Sequence, residues 1–179
     1  SGVAMDIGAN CGMFTVQLAK VLGDGGRVIS IEPEKENIRL LKRNIELNKL
    51  NNVSVIEGGV YSKKGEMTFY LDDFGTGGHS LIEGEVRKKE IIQTNTIDNI
   101  LKDLKVKKVD LIKIDVEGVE IEAFKGAKKT LKKSHPKIIF EAVDSQKRKE
   151  IETFLSKYDY KFKRIDEYNY VAEAGLIKN

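Results

Sequence analysis

A glycine-rich turn follows the first apolar run of the chain, at residues 6–12 (DIGANCG). Glycines let a backbone approach a bound ligand closely, and asparagine tolerates the left-handed conformation that such turns require. We therefore predict a ligand-binding loop made by four residues: Asp6, Gly8, Asn10 and Gly12. An ordinary strand-to-helix turn is the alternative for this segment taken alone.

The acidic residue Asp6 favours one kind of ligand for this loop. A dinucleotide places its pyrophosphate against a helix N-terminus, where an acid two residues before the first glycine would repel it. A carboxylate in that place instead suits a ligand with an ammonium and a sulfonium group, such as S-adenosylmethionine. The charge of Asp6 therefore favours an adenosyl sulfonium over a pyridine dinucleotide.

Two further candidates end the second and third predicted strands. Glu32 lies about two dozen residues after Gly8, close to the ~20 at which nucleotide-binding folds place an acid that accepts hydrogen bonds from ribose hydroxyls. Pro33 follows, where a proline can open the next helix, and we predict that it also belongs to the cofactor-binding residues. Gly59 ends the third strand, where the adenine ring would lie. A solvated glutamate and a plain turn are the alternatives.

The fourth predicted strand carries three charged residues: Lys113, Asp115 and Glu117. Because side chains alternate along a strand, all three share one face if the strand continues that far. Burying such charges without partners is costly, so they must pair, bind a ligand or lie where the strand leaves the sheet. A structural pair of lysine and carboxylate is the alternative to a ligand site.

Strands alternate with helices along most of the chain. Apolar runs predict strands at residues 3–7, 27–31, 53–56, 109–114 and 138–140, with helices between them. This pattern predicts an α/β, Rossmann-like fold: a mostly parallel twisted sheet with helices on both faces, closed by a C-terminal antiparallel hairpin at residues 160–172. Ligands of such sheets bind beyond the carboxyl ends of the strands, where the candidate residues fall.

Three details of this pattern matter below. Residues 66–71 and 90–95 resemble strands around a glycine-rich segment, residues 75–80, which indicates an insertion or an active-site loop. Helical spacing predicts that the first helix buries four residues: Phe14, Leu18, Val21 and Leu22. It also predicts one helix that carries Ile121, Phe124 and Leu131.

Composition limits the class of protein. The length of 179 residues and the 40% of hydrophobic residues fit a single domain over residues 1–179. No apolar run approaches the ~18 residues of a membrane span and no signal peptide opens the chain, so we expect a cytoplasmic protein. Because a strand follows Ser1 at once, we expect that an N-terminal segment is missing. Cys11 is the only cysteine, which excludes an internal disulfide framework.

The formal net charge of +3 is a weak surplus. Lysines gather at residues 105–108, 128–137 and 161–164, where they would attract an anionic partner such as nucleic acid or an acidic glycan. Solvated helix faces and loop ends are the simpler interpretation.

Taken together, these segments resemble the FkbM family of methyltransferases between about residues 3 and 141. The order and spacing of the motifs carry the resemblance: DIGANCG at residues 6–12, IEP at 31–33, Asn44 and Asn48, TID at 96–98, KIDVEGVE at 113–120, Gly126-Ala127 and Glu141.

The resemblance implies a class I methyltransferase sheet and methylation of a hydroxyl on a sugar, glycan, lipid or related small molecule. It implies S-adenosyl-L-methionine as cofactor, with S-adenosyl-L-homocysteine as product. Asp6, Gly8 and Asn10 would then belong to the cofactor loop, Glu32 would bind the ribose, and Asp115 and Glu117 would face the methyl group. Gly78 and Ser80 resemble a family element in which His79 takes the place of a small residue.

In-line methyl transfer depends mainly on proximity and alignment, and a base is secondary. Asp115 is the first candidate to take the hydroxyl proton, followed by Glu117 and His79. A magnesium-assisted mechanism that uses Asp115, Glu117 and Glu141 is a further possibility, although no residue is predicted as a metal ligand outright.

The alternatives for the whole chain are an RNA methyltransferase on the same fold, a nucleotide-binding oxidoreductase and a non-catalytic binding module. Neither the methyl acceptor nor the oligomeric state follows from the sequence.

Overall fold

The strands form where apolar and β-branched residues cluster, as the periodicity predicts. The computed structural model describes residues 2–71, 88–116 and 118–175. Its strands are β1 (Val3–Ile7), β2 (Arg27–Glu32), β3 (Val53–Glu57), β4 (Gly59–Val60), β5 (Gly65–Leu71), β6 (Lys88–Asn95), β7 (Leu111–Ile114), β8 (Lys137–Glu141), β9 (Tyr160–Arg164) and β10 (Asn169–Ala174).

Helices occupy most of the connections between the strands. They are α1 (Met13–Leu22), α2 (Lys35–Leu47), α3 (Ile97–Asp103), α4 (Glu120–Lys125), α5 (Lys128–Ser134) and α6 (Ser145–Ser156). No helix in the described part of the chain combines the length and the apolar character that a membrane span needs.

Seven strands form the main sheet in the order β3-β2-β1-β7-β8-β10-β9. The first five run parallel, whereas β10 is antiparallel to both β8 and β9. Consecutive residues of β1 and β2 are buried, as expected where a parallel sheet is covered on both faces. The predicted Rossmann-like architecture, a mostly parallel sheet with helices and a C-terminal antiparallel hairpin, is confirmed.

A second, three-stranded sheet forms where the regular alternation stops. In it β5 and β6 pair as an antiparallel hairpin, and the short β4 runs parallel to β6. The two predicted strands are therefore present, although they stand outside the main sheet. The glycine-rich segment at residues 75–80 lies outside the described residues.

The predicted buried face of α1 is wrong at two positions. Phe14 is 44% exposed and Val21 is 84% exposed, whereas Thr15 and Ala19 are buried. The hydroxyl of Thr15 donates to the buried carboxylate of Asp6 over 2.6 Å, which turns this side of α1 toward the sheet. A polar contact, which apolar periodicity does not register, decides the orientation of the helix.

The single helix predicted around Phe124 is two helices, α4 and α5, separated by Gly126 and Ala127. Asp98 causes the break, because its backbone N–H donates to the carbonyl of Gly126 over 3.0 Å. Its carboxylate then accepts from the backbone N–H groups of Lys129 and Thr130, each over 2.9 Å. A side chain from another element thus caps the N-terminus of α5.

Candidate functional site

A cavity of about 310 Å³ opens at the carboxyl ends of β1, β2 and β7. The loop after β1, the end of β2, the β4 strand, the β5-β6 hairpin and the turn after β7 line it. Six of the residues predicted from the sequence are in its wall: Gly8, Asn10, Glu32, Pro33, Gly59 and Asp115. This is where the topology of an open parallel sheet places a ligand.

Gly8 brings the loop after β1 into contact with the turn after β7. Its φ is +75°, and a Cβ at this position would lie only 1.8 Å from the carbonyl oxygen of Asp115. The backbone N–H groups of Gly8 and Ala9 both donate to the carbonyl of Ile31 over 3.0 Å. The loop is therefore fixed against both neighbouring strands, and only glycine fits its first bend.

Glu32 lies at the end of β2 with 4% of its surface exposed. Its carboxylate accepts hydrogen bonds from the backbone N–H groups of Asn10 over 2.8 Å and Glu34 over 3.0 Å. The side-chain amide of Asn37 approaches to 3.4 Å. Burial raises the pKa of this carboxyl, and these hydrogen bonds partly oppose the rise. The result is an oriented carboxylate in the cavity wall.

Asn10 has a φ of +51°, the left-handed conformation that the sequence predicts. Its side-chain oxygen accepts from the backbone N–H of Cys11 over 2.6 Å, which stabilises the turn. The side chain of Asn44, on α2, donates to the carbonyl of Cys11 over 2.8 Å. This contact gives one of the two motif asparagines a role in holding the loop.

Asp6 is fully buried and is not part of the cavity wall. One carboxylate oxygen accepts from Thr15, whose hydroxyl also shares a 2.8 Å hydrogen bond with Ser30. The other oxygen has no hydrogen-bond partner and lies 3.8 Å from the ammonium of Lys113. Burial raises the pKa of Asp6, and Lys113 opposes the rise. Asp6 therefore lies beneath the loop, partly neutralised.

Gly12 also lies outside the cavity wall. Its φ is +91°, and a Cβ there would lie 2.4 Å from a methyl carbon of Leu41 on α2. Gly12 thus lets α1 begin in close contact with α2, and the structure places it in helix packing.

Asp115 follows directly after β7, which ends at Ile114. Lys113 donates to its carboxylate over 3.3 Å. Glu141, at the end of β8, has a raised pKa because it is partly buried and because the neighbouring Asp115 carboxylate repels its charge and hydrogen-bonds it. Since the strand stops at Ile114, its alternation does not extend to Glu117, which lies outside the described residues, as does His79. Among the described residues, no group of three or more acidic, histidine or cysteine side chains is arranged to hold a metal ion.

Several residues of the cavity wall were not predicted as site residues from the sequence, among them Phe14, Asn37, Phe69 and Ile92. The apolar spacing of α1 had assigned Phe14 to the core. Phe69 and Ile92 form a small buried cluster of their own on the β5-β6 hairpin. The sequence places both residues in predicted strands beside the glycine-rich segment. It did not indicate that these strands line the ligand site.

Comparisons with known proteins agree with this fold. The profile of the family described as "Methyltransferase FkbM domain" matches residues 6–162. A crystal structure of methyltransferase FkbM from Methylobacillus flagellatus superimposes with a TM-score of 0.72 at 21% identity, over 97% of this chain and 43% of that one. A precorrin-6y C5,15-methyltransferase from Geobacter metallireducens superimposes with a TM-score of 0.62 at 16% identity, over 97% of this chain and 80% of that one.

A curated relative from Sulfurisphaera tokodaii bears the name "Probable cobalt-precorrin-6B C(15)-methyltransferase (decarboxylating)". It is 37% identical over 79 residues, which are 44% of this chain and 41% of the relative, so the chain matches only about two fifths of its length. The profile match covers most of the chain and includes the loop after β1, Glu32 and Asp115. The chain therefore belongs to the FkbM methyltransferase domain family.

Proposed function

We propose that the chain is an S-adenosylmethionine-dependent methyltransferase domain that methylates a hydroxyl oxygen of a sugar, glycan, lipid or related small molecule. Family membership supports the transferase class. The observation that carries the cofactor assignment is Glu32, a buried carboxylate that backbone N–H groups hold in the wall of the cavity. Such a group can accept hydrogen bonds from both hydroxyls of a ribose.

The described residues fit an adenosyl cofactor. Gly8 gives the cavity a bare-backbone wall on the side of β1, and Glu32 follows at the end of β2. Gly59 and the side chains of Phe69 and Ile92 supply an apolar wall for a flat ring. Because Asp6 is buried beside Lys113, we assign to Asp115, a residue of the cavity wall, the selection for positive charge that we predicted for Asp6.

S-adenosylmethionine, when bound, supplies an electrophilic methyl group. The chain then has to align an acceptor oxygen and take its proton. Asp115 is our candidate to accept that proton, because it lines the cavity directly after β7, the strand next to β1. Glu117 and His79 stay secondary candidates on the sequence alone.

Isothermal titration calorimetry tests the cofactor assignment. We expect saturable binding of S-adenosylhomocysteine and S-adenosylmethionine, and no binding of NAD. The Glu32→Ala variant provides the control, since it removes the ribose acceptor and should weaken both adenosyl ligands. Binding of NAD without binding of either adenosyl ligand would contradict the proposal and favour a nucleotide-binding oxidoreductase.

The acceptor class needs a second experiment. Methyl-labelled S-adenosylmethionine should transfer label to a sugar, glycan or lipid acceptor in a panel that also contains RNA and a tetrapyrrole. The carbon-13 shift of the transferred methyl group then separates O-methylation from C-methylation, the reaction named for the curated relative. Transfer to RNA that declines steeply with added salt would instead support the lysine clusters as a nucleic-acid surface.

A further inference from the structure

Lys113 joins the two sides of the cavity. It is the register partner of Asp6 on the neighbouring parallel strand, and its side chain is only 10% exposed. Its ammonium donates to the carbonyl of Gly8 over 3.2 Å and to the carboxylate of Asp115 over 3.3 Å. One cation thus contacts the loop after β1 and the turn after β7 together.

Other groups also lie near this ammonium, including Glu141, with which Lys113 interacts electrostatically. The free carboxylate oxygen of Asp6 lies 3.8 Å away on the buried side. The ring of Phe14 lies with its centroid 5.3 Å away on the cavity side, within the range of a cation–π contact. An ammonium has three N–H donors, and here two of them donate to acceptors that follow two different strands, β1 and β7.

We propose that Lys113 is a positioning residue: its ammonium ties the Gly8 carbonyl to the Asp115 carboxylate and partly neutralises that carboxylate, which fixes the spacing and the charge of the cavity. The proposal rests on the proposed function, because it takes Gly8 as part of the cofactor side and Asp115 as the group nearest the reacting methyl.

Charge near the methyl group makes this role measurable. S-adenosylmethionine carries one positive charge more than S-adenosylhomocysteine, at the sulfur. Without the ammonium of Lys113, Asp115 would attract the sulfonium more strongly. The Gly8 loop would also lose a hydrogen bond that holds it, which would weaken the binding of both ligands. A residue that only supports the fold would weaken both ligands by the same factor.

The test compares Asp6→Asn with the double variant Asp6→Asn/Lys113→Met. Removing Lys113 alone would leave Asp6 as a buried unpaired charge and endanger folding, and the Asn replacement avoids this. Lys42→Met is the matched control, since Lys42 forms an exposed ion pair with Glu57 and neither residue is in the cavity wall. Thermal unfolding first checks that each variant folds, and calorimetry then measures its affinity for S-adenosylmethionine and for S-adenosylhomocysteine.

We expect the double variant to bind S-adenosylhomocysteine about tenfold more weakly than Asp6→Asn does, as the loss of charged hydrogen bonds predicts. We expect the ratio of the affinity for S-adenosylmethionine to the affinity for S-adenosylhomocysteine to rise several-fold. Lys42→Met should leave both values unchanged. An equal loss for the two ligands, or no loss, would overturn the role of Lys113. If the parent chain binds neither ligand, the proposed function itself fails.

Discussion

The two sides of the cavity are built in different ways. On the side of β1 and β2, backbone groups do most of the work: the Gly8 bend is fixed to the carbonyl of Ile31, and Glu32 is held by the N–H groups of Asn10 and Glu34. On the side of β7, side chains dominate, with Asp115 held by Lys113 and facing Glu141.

This difference indicates a division of labour. Backbone contacts are rigid and suit the recognition of a cofactor whose shape does not vary. Side-chain contacts across strands can change with a single substitution, and they suit the side on which we propose that the acceptor reacts. Substitutions at Gly8 and Glu32 on the first side should therefore weaken cofactor binding, whereas a substitution at Asp115 on the second side should change transfer more than binding.

The largest effect is expected for Gly8→Ala. The new Cβ would overlap the carbonyl oxygen of Asp115, so the two strand ends must separate and ligand binding should be lost. Gly23→Ala is the matched control, because Gly23 also has a positive φ, of +60°, but a Cβ there meets no atom within 4 Å. We expect Gly23→Ala to cost about 1–3 kcal/mol of unfolding free energy through strain, and Gly8→Ala to cost about 2 kcal/mol more through the overlap.

Chemical denaturation and calorimetry with S-adenosylhomocysteine measure these two effects. Equal stability of the two variants, with binding retained in both, would show that the close approach at Gly8 is not required.

Asp115→Asn should affect the other side. If Asp115 takes the acceptor proton, the methyl-transfer rate should fall by about 100-fold or more. Binding of S-adenosylhomocysteine should change only a few-fold, because the amide keeps the shape of the side chain. Labelled methyl transfer to an acceptor from the panel measures the rate. Transfer at nearly the parental rate would remove Asp115 as the base.

Glu32→Gln should weaken the binding of S-adenosylhomocysteine by about tenfold. The amide N–H₂ of glutamine would face a backbone N–H group from which the carboxylate now accepts a hydrogen bond. Glu57→Gln is the control: Glu57 is the register partner of Glu32 on β3, and its exposed side chain pairs with Lys42. Surface pairs contribute little, so this variant should bind like the parent. Similar losses in both variants would deny Glu32 a specific role.

The smallest effect concerns pH. Because burial raises the pKa of Glu32 in the folded chain above its ordinary value of 4.5, folding favours the protonated carboxyl. The stability of the parent relative to Glu32→Gln should be greatest below pH 4.5 and decline as the pH rises through the raised pKa. Denaturation of both proteins over this range measures the difference. A difference that stays constant, or that grows with pH, would contradict the burial of this carboxylate.

Much of the fold and of the β1 side could be predicted from the sequence, because their determinants are local. The apolar runs set the strands, and the glycines and Asn10 set a bend whose positive φ values few other residues adopt. Since consecutive parallel strands end at one edge of a sheet, the loop after β1 and Glu32 had to meet. Their approximate positions followed from chain order alone.

The tertiary structure decided which residues reach the cavity and which support it. Asp6 and Gly12 share a motif with Gly8 and Asn10, yet one lies buried beside Lys113 and the other packs on Leu41. Phe14 points to the cavity because Thr15 bonds Asp6, and Phe69 arrives on a hairpin outside the main sheet. Such placements depend on contacts between segments that are distant along the chain, and these contacts form only in the folded core. The spacing of residues within one segment therefore does not predict them.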